Sequence, residues 1–301
     1  MPNWNQVLAE INSYQRDDSV DFVRKKYLAE LNIITGRNII AYYSGWLQRP
    51  PGLAKAAIND DDKNAFMAAI HGLDRSKGLD LILHTPGGDT AATESIVGYL
   101  RSMFDTDIRA IIPQIAMSAG TMVACACKEI IMGKQSNLGP IDPQFGGIPC
   151  NGVIEEFNRA LQAIRLDPAT TPIWQVIIGK YHPTFIGECQ KAIDWSADMV
   201  AKWLETGMFK GQKDAIAISR KIVGELNANG ARKTHAYHIS MEECQRLGLK
   251  IVPLEEHEQS LNFQDTVLTI HHAYMHSIAR DPSVVKVVEN HMGQAMVFHQ
   301  Q

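Results

Sequence analysis

The stretch LDLILHTPGGD, residues 79–89, joins an apolar run to two consecutive glycines. Leu79–Leu83 is typical of a strand that is buried on both faces of a parallel sheet. Gly87 and Gly88 come directly before a helix predicted over Thr90–Phe104, where they can adopt backbone conformations closed to other residues. Their N–H groups, near a helix N-terminus, suit an anionic oxygen. A plain strand-to-helix turn explains the same residues, so this stretch alone does not decide between the two.

Strands and helices alternate closely on either side of this stretch, which predicts an α/β fold with a parallel sheet covered by helices. Further strands are predicted at residues 38–43, 108–115 and 129–132, with helices at 20–34, 60–76 and 118–128. Beyond Gly139 the pattern predicts helices at 153–165, 191–204, 215–226, 240–247 and 265–278, a strand at 250–253 and an edge strand at 284–288. The predicted organisation is an N-terminal helical extension (1–36), a main domain (37–256), and a C-terminal helix and tail (257–301).

The composition is that of an ordinary globular protein, with 301 residues, 45% hydrophobic residues, 21% charged residues and a net charge of −4. No basic field for nucleic acid is present. The five cysteines are odd in number and lack zinc-finger spacing, so we expect neither a disulfide framework nor a metal site. No run of 18 apolar residues exists, and the N-terminus has the pattern of an amphipathic helix rather than a signal peptide. We therefore expect a cytoplasmic protein without a membrane span.

Ser118 lies between the strand predicted at residues 108–115 and the short helix that follows. Capping of this helix is one explanation for the residue, because serine is a favoured N-cap. A serine at the top of a parallel sheet, followed by the free N–H of Ala119, also has the geometry of a nucleophile elbow, although the sequence is not G-x-S-x-G. One helix and one strand fit between Gly88 and Ser118. The Gly88 and Ala119 N–H groups are therefore expected to converge on one point.

Pro86-Gly87-Gly88, followed by Ser118-Ala119-Gly120, resembles the paired motifs of the Clp protease proteolytic subunit and of signal peptide peptidase A. Residues 140–147 and 239–249 are similar to further Clp segments, and the resemblance covers roughly residues 38–255. The nearest group is the serine dehydrogenase proteinase family of the Clp protease/crotonase superfamily. The resemblance implies a Clp/crotonase-like repeated ββα spiral with a mainly parallel sheet and added helices. It also implies a serine peptidase whose nucleophile is Ser118 and whose oxyanion hole is formed by Gly87, Gly88 and Ala119.

The general base stays open between two main alternatives, with His84 and His182 as further candidates. Asp142 stands where the Clp subunit has its histidine, and His235 stands near the position of the Clp aspartate. Because a triad depends on geometry rather than chain order, Ser118, His235 and Asp142 satisfy its requirements. Signal peptide peptidase A instead uses a Ser-Lys dyad, and Lys180 lies ahead of a predicted long helix as that lysine does. The apolar run Ile173–Ile178 would desolvate Lys180 and lower its pKa.

Three functions fit these residues. The first is hydrolysis, through an acyl-enzyme, of a peptide laid along the sheet edge by strand addition. The second is a crotonase-type enzyme acting on an acyl-CoA thioester with the same two N–H donors, and the third is a non-catalytic Clp-like scaffold. No cofactor is predicted, since neither a G-x-G-x-x-G motif nor a P-loop occurs. The resemblance further implies a homo-oligomer that binds a peptide or protein substrate.

Overall fold

The computed structural model describes residues 2–50, 52–227, 236–257 and 260–300 of the chain. The α-helices of these residues, numbered in chain order, are α1 (Trp4–Ser13), α2 (Ser19–Thr35), α3 (Asp61–Ile70), α4 (Thr90–Phe104), α5 (Ala119–Cys125), α6 (Cys150–Leu166), α7 (Thr171–Ile178), α8 (Phe185–Thr206), α9 (Ala215–Asn227), α10 (Met241–Leu247) and α11 (Ser260–Arg280). The strands are β1 (Asn38–Ser44), β2 (Leu79–His84), β3 (Ile108–Ile112), β4 (Ile115–Ala116), β5 (Glu129–Met132), β6 (Asn137–Leu138), β7 (Gln144–Phe145), β8 (Ile148–Pro149), β9 (Ile239–Ser240), β10 (Ile251–Pro253), β11 (Val284–Asn290) and β12 (Ala295–His299).

The main sheet has the strand order β10-β5-β3-β2-β1-β11-β12. Its first five strands are parallel, whereas β11 runs antiparallel to β1 and β12 antiparallel to β11. A smaller sheet of β4, β6 and β9 stands next to it, with β4 parallel to β6 and β6 antiparallel to β9. This arrangement confirms the predicted α/β fold class with a mainly parallel sheet.

Both faces of the main sheet are buried under helices. In β1, Ile40 and Tyr42 pack into the larger apolar cluster, which α3, α4, α5, α8 and α9 complete. The alternate residues Ile39, Ala41 and Tyr43 pack into a second cluster with α2 and α11. Because both faces of the parallel strands are covered, β1 and β2 contain only buried residues.

The C-terminal residues differ most from the sequence prediction. β11 is not an edge strand, because β12, which was not predicted, flanks it and forms the edge. β11 pairs with β1 from the opposite end of the chain, and no local pattern reports such a distant pairing. α2 and α11, from the two ends of the chain, cover the same face of the sheet. The division of the chain into residues 1–36, 37–256 and 257–301 remains a prediction.

Several helix boundaries also differ from the prediction, two of them by six residues. The helix predicted over residues 60–76 ends at Ile70, and Gly72 follows it with a φ of 80°. α8 begins at Phe185, well before the predicted start at Lys191. In the parts of the chain that the structure describes, no helix is both long and apolar enough to cross a membrane.

Candidate active site

Ser118 occupies a sharp turn between β4 and α5, with a φ of 49° and a ψ of −116°. Non-glycine residues held in sparsely populated backbone regions cost on the order of 1–3 kcal/mol and concentrate at functional sites. Ser118 is the N-cap of α5 by position, but its hydroxyl makes no capping hydrogen bond. Capping therefore does not account for this serine, whereas an elbow that presents its side chain does.

Small residues and one threonine hold this turn against the end of β2. The Thr121 hydroxyl donates to the Ala116 carbonyl and accepts the Gly139 N–H, both at 2.9 Å. Thr85 forms a parallel bridge with Ala116, which brings the chain after β2 alongside the turn at Ser118. We call this turn the nucleophile turn, after the role predicted for Ser118. A Cβ on Gly120 would lie 2.4 Å from the Thr85 methyl carbon, so only glycine allows α5 to approach this closely.

The diglycine turn contacts the nucleophile turn directly. Gly87 has a φ of 94°, and its N–H donates to the Thr85 hydroxyl at 3.1 Å. A Cβ on Gly87 would lie 2.7 Å from the Met117 carbonyl oxygen, 2.8 Å from the Ser118 Cβ and 2.9 Å from the Ala119 nitrogen. The two segments that the sequence placed on neighbouring strand ends therefore touch.

Two of the three predicted oxyanion donors are uncommitted. Gly88 is exposed and Ala119 is the first residue of α5, and neither N–H donates to another group among the residues that the structure describes. The Gly87 N–H is already engaged by Thr85. Gly87 thus shapes the turn, while Gly88 and Ala119 offer N–H groups beside the Ser118 hydroxyl.

Ser118 and the diglycine turn face a cleft of about 780 Å³. Its other walls include Met122 of α5, Phe145 of β7, and α8, where Trp195 is 42% exposed. A largely apolar pocket with a few convergent polar groups is typical of a ligand site. We call the space bounded by these residues the cleft. Its lining residues include Ala57, Gly88, Ser118, Ile141, Pro143, Glu188 and Lys191.

Of the two residues predicted to form a triad with Ser118, the structure describes Asp142 but not His235. Asp142 is fully buried between Ile141 and Pro143, two residues that line the cleft. His235 lies outside the described residues, so its catalytic role stays a prediction. A buried carboxylate is costly unless it is paired or hydrogen-bonded, which distinguishes Asp142 from an exposed turn residue.

Lys180 is exposed beyond the end of α7 and does not line the cleft. The apolar run that was expected to desolvate it forms α7, none of whose residues is buried. The desolvation that a lysine base requires is therefore not provided at Lys180. Lys191 of α8 does line the cleft, but its ammonium is paired with Glu188 at 2.9 Å and its side chain is 75% exposed. Because this helix was predicted to begin only at Lys191, the sequence did not indicate that the start of α8 lines the cleft.

Replacing Gly87 by alanine should damage both the fold and the site. The positive φ costs about 1–2 kcal/mol for a residue with a Cβ, and displacing packed neighbours adds about 1–3 kcal/mol. Urea unfolding should therefore show a free energy of unfolding lower by about 2–5 kcal/mol. Gly98→Ala is the control, because a Cβ at Gly98 in α4 meets nothing within 4 Å. Equal stabilities for the two variants would contradict the contact between the two turns.

His84, at the end of β2, is a core histidine. It is fully buried, and its ring nitrogens lie 3.1 Å from the Ser44 carbonyl oxygen and 3.0 Å from the Gln114 side-chain oxygen. Its ring stacks on Tyr43 and lies 5.4 Å from that of His271, centroid to centroid. Burial lowers the pKa of His84 to about 4, and it also lowers the pKa of His271.

Stability should consequently fall as the pH falls from about 6.5 towards 4. In this window the unfolded chain binds a proton at His84 that the folded chain excludes, so acid favours unfolding. The stabilising effect of a neutral His84 is complete above the unfolded pKa. Urea titrations across this range should give a slope shallower by about 1 kcal/mol per pH unit for His84→Gln than for the wild type. Parallel curves would show that His84 is protonated equally easily in both states.

Comparison with known proteins agrees with this fold. Residues 54–288 match the family of ClpP-like SDH-type serine proteinases, and the chain belongs to that family. It is 31% identical over 194 residues to the uncharacterized protein MJ0137 of Methanocaldococcus jannaschii, a match that covers 64% of this chain and 60% of that protein. It is also 31% identical over 181 residues to the uncharacterized protein MJ1495 of the same organism, covering 59% of this chain and 62% of that one. The match thus spans less than two thirds of either relative.

Proposed function

We propose that this protein is a serine peptidase that cleaves peptide bonds through an acyl-enzyme on Ser118. The observation that carries the proposal is the placement of Ser118. It stands in a positive-φ turn, makes no capping bond and faces the cleft beside two uncommitted N–H groups. Membership of the serine proteinase family supports the same reaction class.

In the proposed reaction the Ser118 oxygen attacks the substrate carbonyl and its proton passes to the general base. The Gly88 and Ala119 N–H groups hold the oxyanion that forms. Collapse of the tetrahedral intermediate breaks the C–N bond, and the base returns the proton to the departing amine. Water then attacks the ester of Ser118 while the same base accepts its proton. The C–O bond to Ser118 breaks, the base returns the proton to the serine oxygen, and the acid product leaves.

We assign the base to His235 and its orienting carboxylate to Asp142. Support comes from the pairing of β6 with β9, in which Asn137 lies opposite Ser240 and Leu138 opposite Ile239. Three residues lie between Leu138 and Asp142, and three lie between His235 and Ile239. Because the two strands are antiparallel, both chain segments leave the pair at the same end. Residues 142 and 235 are thus equally far in sequence from the Leu138–Ile239 pair.

The substrate in this proposal is a peptide or protein segment in extended form, bound along the cleft by strand addition.

We also propose that copies of the chain associate. α7 exposes apolar side chains such as Ile173, at 63%, and Val176, at 66%, and Leu166 just before it is 88% exposed. Exposed apolar patches of this kind mark interaction sites. A cytoplasmic location stays a prediction.

Labelling with a fluorophosphonate probe tests the proposed function. One probe per chain should attach, and peptide mapping should place it on Ser118. Ser102→Ala is the control, because Ser102 is an exposed serine of α4 whose hydroxyl bonds within its own helix. This variant should label like the wild type. An unlabelled wild-type protein that is stabilised by acyl-CoA in a thermal-shift assay would favour the crotonase-type alternative.

A further inference from the structure

A short segment, residues 56–59, pairs with the diglycine turn and lines the cleft through Ala57. The Ile58 N–H donates to the Gly87 carbonyl at 2.8 Å, and the Ile58 carbonyl accepts the Asp89 N–H at 2.9 Å. Successive peptide groups of an extended chain point to opposite sides, so the intervening Gly88 N–H points away from Ile58. A Cβ on Gly88 would lie only 2.3 Å from the Ile58 nitrogen and oxygen. The position of Ile58 therefore sets the direction of the Gly88 N–H.

Two buried side chains of the main sheet hold this segment from behind. Ser44 of β1 and Lys286 of β11 are cross-strand partners, and both are fully buried. The Ser44 hydroxyl donates to the Ala56 carbonyl at 2.6 Å. The Lys286 ammonium donates to the Ala57 carbonyl at 3.0 Å. Both residues thus fix carbonyl groups immediately before Ile58.

Asp62, in the first turn of α3, fixes the other side of Ile58. Its carboxylate accepts the Asn59 N–H at 3.0 Å and the Tyr42 hydroxyl at 2.8 Å. The same carboxylate forms an ion pair with Lys286. The Lys286–Asp62 pair therefore holds the segment at Ala57 on one side of Ile58 and at Asn59 on the other.

Burying this ion pair carries a large desolvation penalty that apolar side chains in the same space would not have. Both side chains have an exposure of 0%. Burial lowers the pKa of Lys286 and raises the pKa of Asp62, and attraction between the two opposes each shift. Replacing a buried ion pair by apolar residues is often neutral or stabilising. Stability alone therefore does not explain a charged pair at this position, whereas two fixed hydrogen bonds behind the cleft wall do.

We propose that Lys286 and Asp62 are positioning residues that hold the 56–59 segment and thereby aim the Gly88 N–H at the substrate oxyanion. This inference rests on the proposed function of Ser118 and adds to it. Neither residue touches the substrate. Their contribution is to keep an oxyanion donor in the geometry that the transition state requires.

The test compares two neutralised ion pairs in the full-length protein. Lys286→Met combined with Asp62→Asn removes both charges and the bond to Ala57, while the amide oxygen can still accept the Asn59 N–H. The control combines Arg24→Met with Glu289→Gln. Arg24 and Glu289 form a fully buried pair at 2.6 Å, and Glu289 shares β11 with Lys286 but lies on the α2 face, away from the cleft.

In the Lys286/Asp62 variant, hydrogen exchange measured by mass spectrometry should accelerate about tenfold or more in peptides covering residues 54–60 and 84–90. The kcat for a peptide substrate should fall about 10- to 100-fold with KM within threefold of the wild type, since removal of a whole oxyanion donor costs about 100- to 1000-fold. Affinity for a peptide boronate, whose tetrahedral adduct uses the oxyanion hole, should fall by the same factor. The control variant should keep wild-type exchange in both peptides and wild-type kcat.

Unchanged exchange in residues 54–60 and 84–90, or an equal loss of kcat in the control variant, would overturn the positioning role. The exchange measurement does not depend on catalysis. If wild-type protein neither reacts with fluorophosphonate nor binds boronate, the proposed function fails, and the exchange result still decides whether the pair holds the diglycine turn.

Discussion

Ser118→Ala should lower kcat for peptide hydrolysis by about 10⁵-fold or more, because it removes the atom that forms the acyl-enzyme. The side chain has no capping bond to lose. The free energy of unfolding should therefore change by less than about 1 kcal/mol, well within the range of ordinary substitutions. A folded but inactive variant is the result expected if Ser118 is the nucleophile.

Steady-state kinetics and urea unfolding measure the two quantities on the same preparation. A small residual rate above that of water is expected, since the Gly88 and Ala119 N–H groups can still hold an oxyanion formed by direct attack of water. Ser102→Ala should retain full activity. Peptidase activity of Ser118→Ala within tenfold of the wild type would remove Ser118 from the mechanism.

Asp142→Asn should reduce kcat by about 10⁴-fold, the loss that follows when a triad histidine is held in the wrong tautomer. His235→Ala should reduce kcat at least as strongly, because it removes the base that we propose. The isosteric change at Asp142 keeps the volume of a fully buried side chain. Circular dichroism of both variants should therefore still report a folded protein, so that the loss can be assigned to chemistry.

Lys180→Ala is the matched control for the base, and it should leave kcat within about twofold of the wild type, since Lys180 is exposed and outside the cleft lining. In the wild type, kcat/KM should rise with pH through about 6.5, the ordinary pKa of an imidazole. Inactive Lys180→Ala with active His235→Ala would reverse the assignment. It would also make the reaction one of a Ser-Lys dyad.

The centre of the fold was predictable because its signals are local. The strands β1, β2 and β3 are largely apolar, although β2 contains Asp80 and β3 contains Arg109. Each helix between them shows a helical spacing of apolar residues. The glycines at 87 and 88 and the serine at 118 stand directly after strands, where the chain must turn. A sequence can report such features because the residues that cause them lie within a few positions of each other.

The rest depended on contacts between distant parts of the chain. Lys286 stands in the run Val-Val-Lys-Val-Val, which resembles an edge strand with one exposed charge, yet it is fully buried. Only the pairing of β11 with β1, and the place of Asp62 beneath it, explain that burial. Trp195 likewise contributes to the cleft because α8 crosses in front of the nucleophile turn, and no local pattern gives that placement.

The meeting of Ser118 with two amide donors is most directly tested by a crystal structure of the protein with a peptide boronate. A covalent bond from the Ser118 Oγ to boron is expected, with one boronate oxygen about 2.7–3.1 Å from both the Gly88 and Ala119 nitrogens. A boronate bound to another residue, or bonded to Ser118 with its oxygens turned away from both amides, would contradict the account.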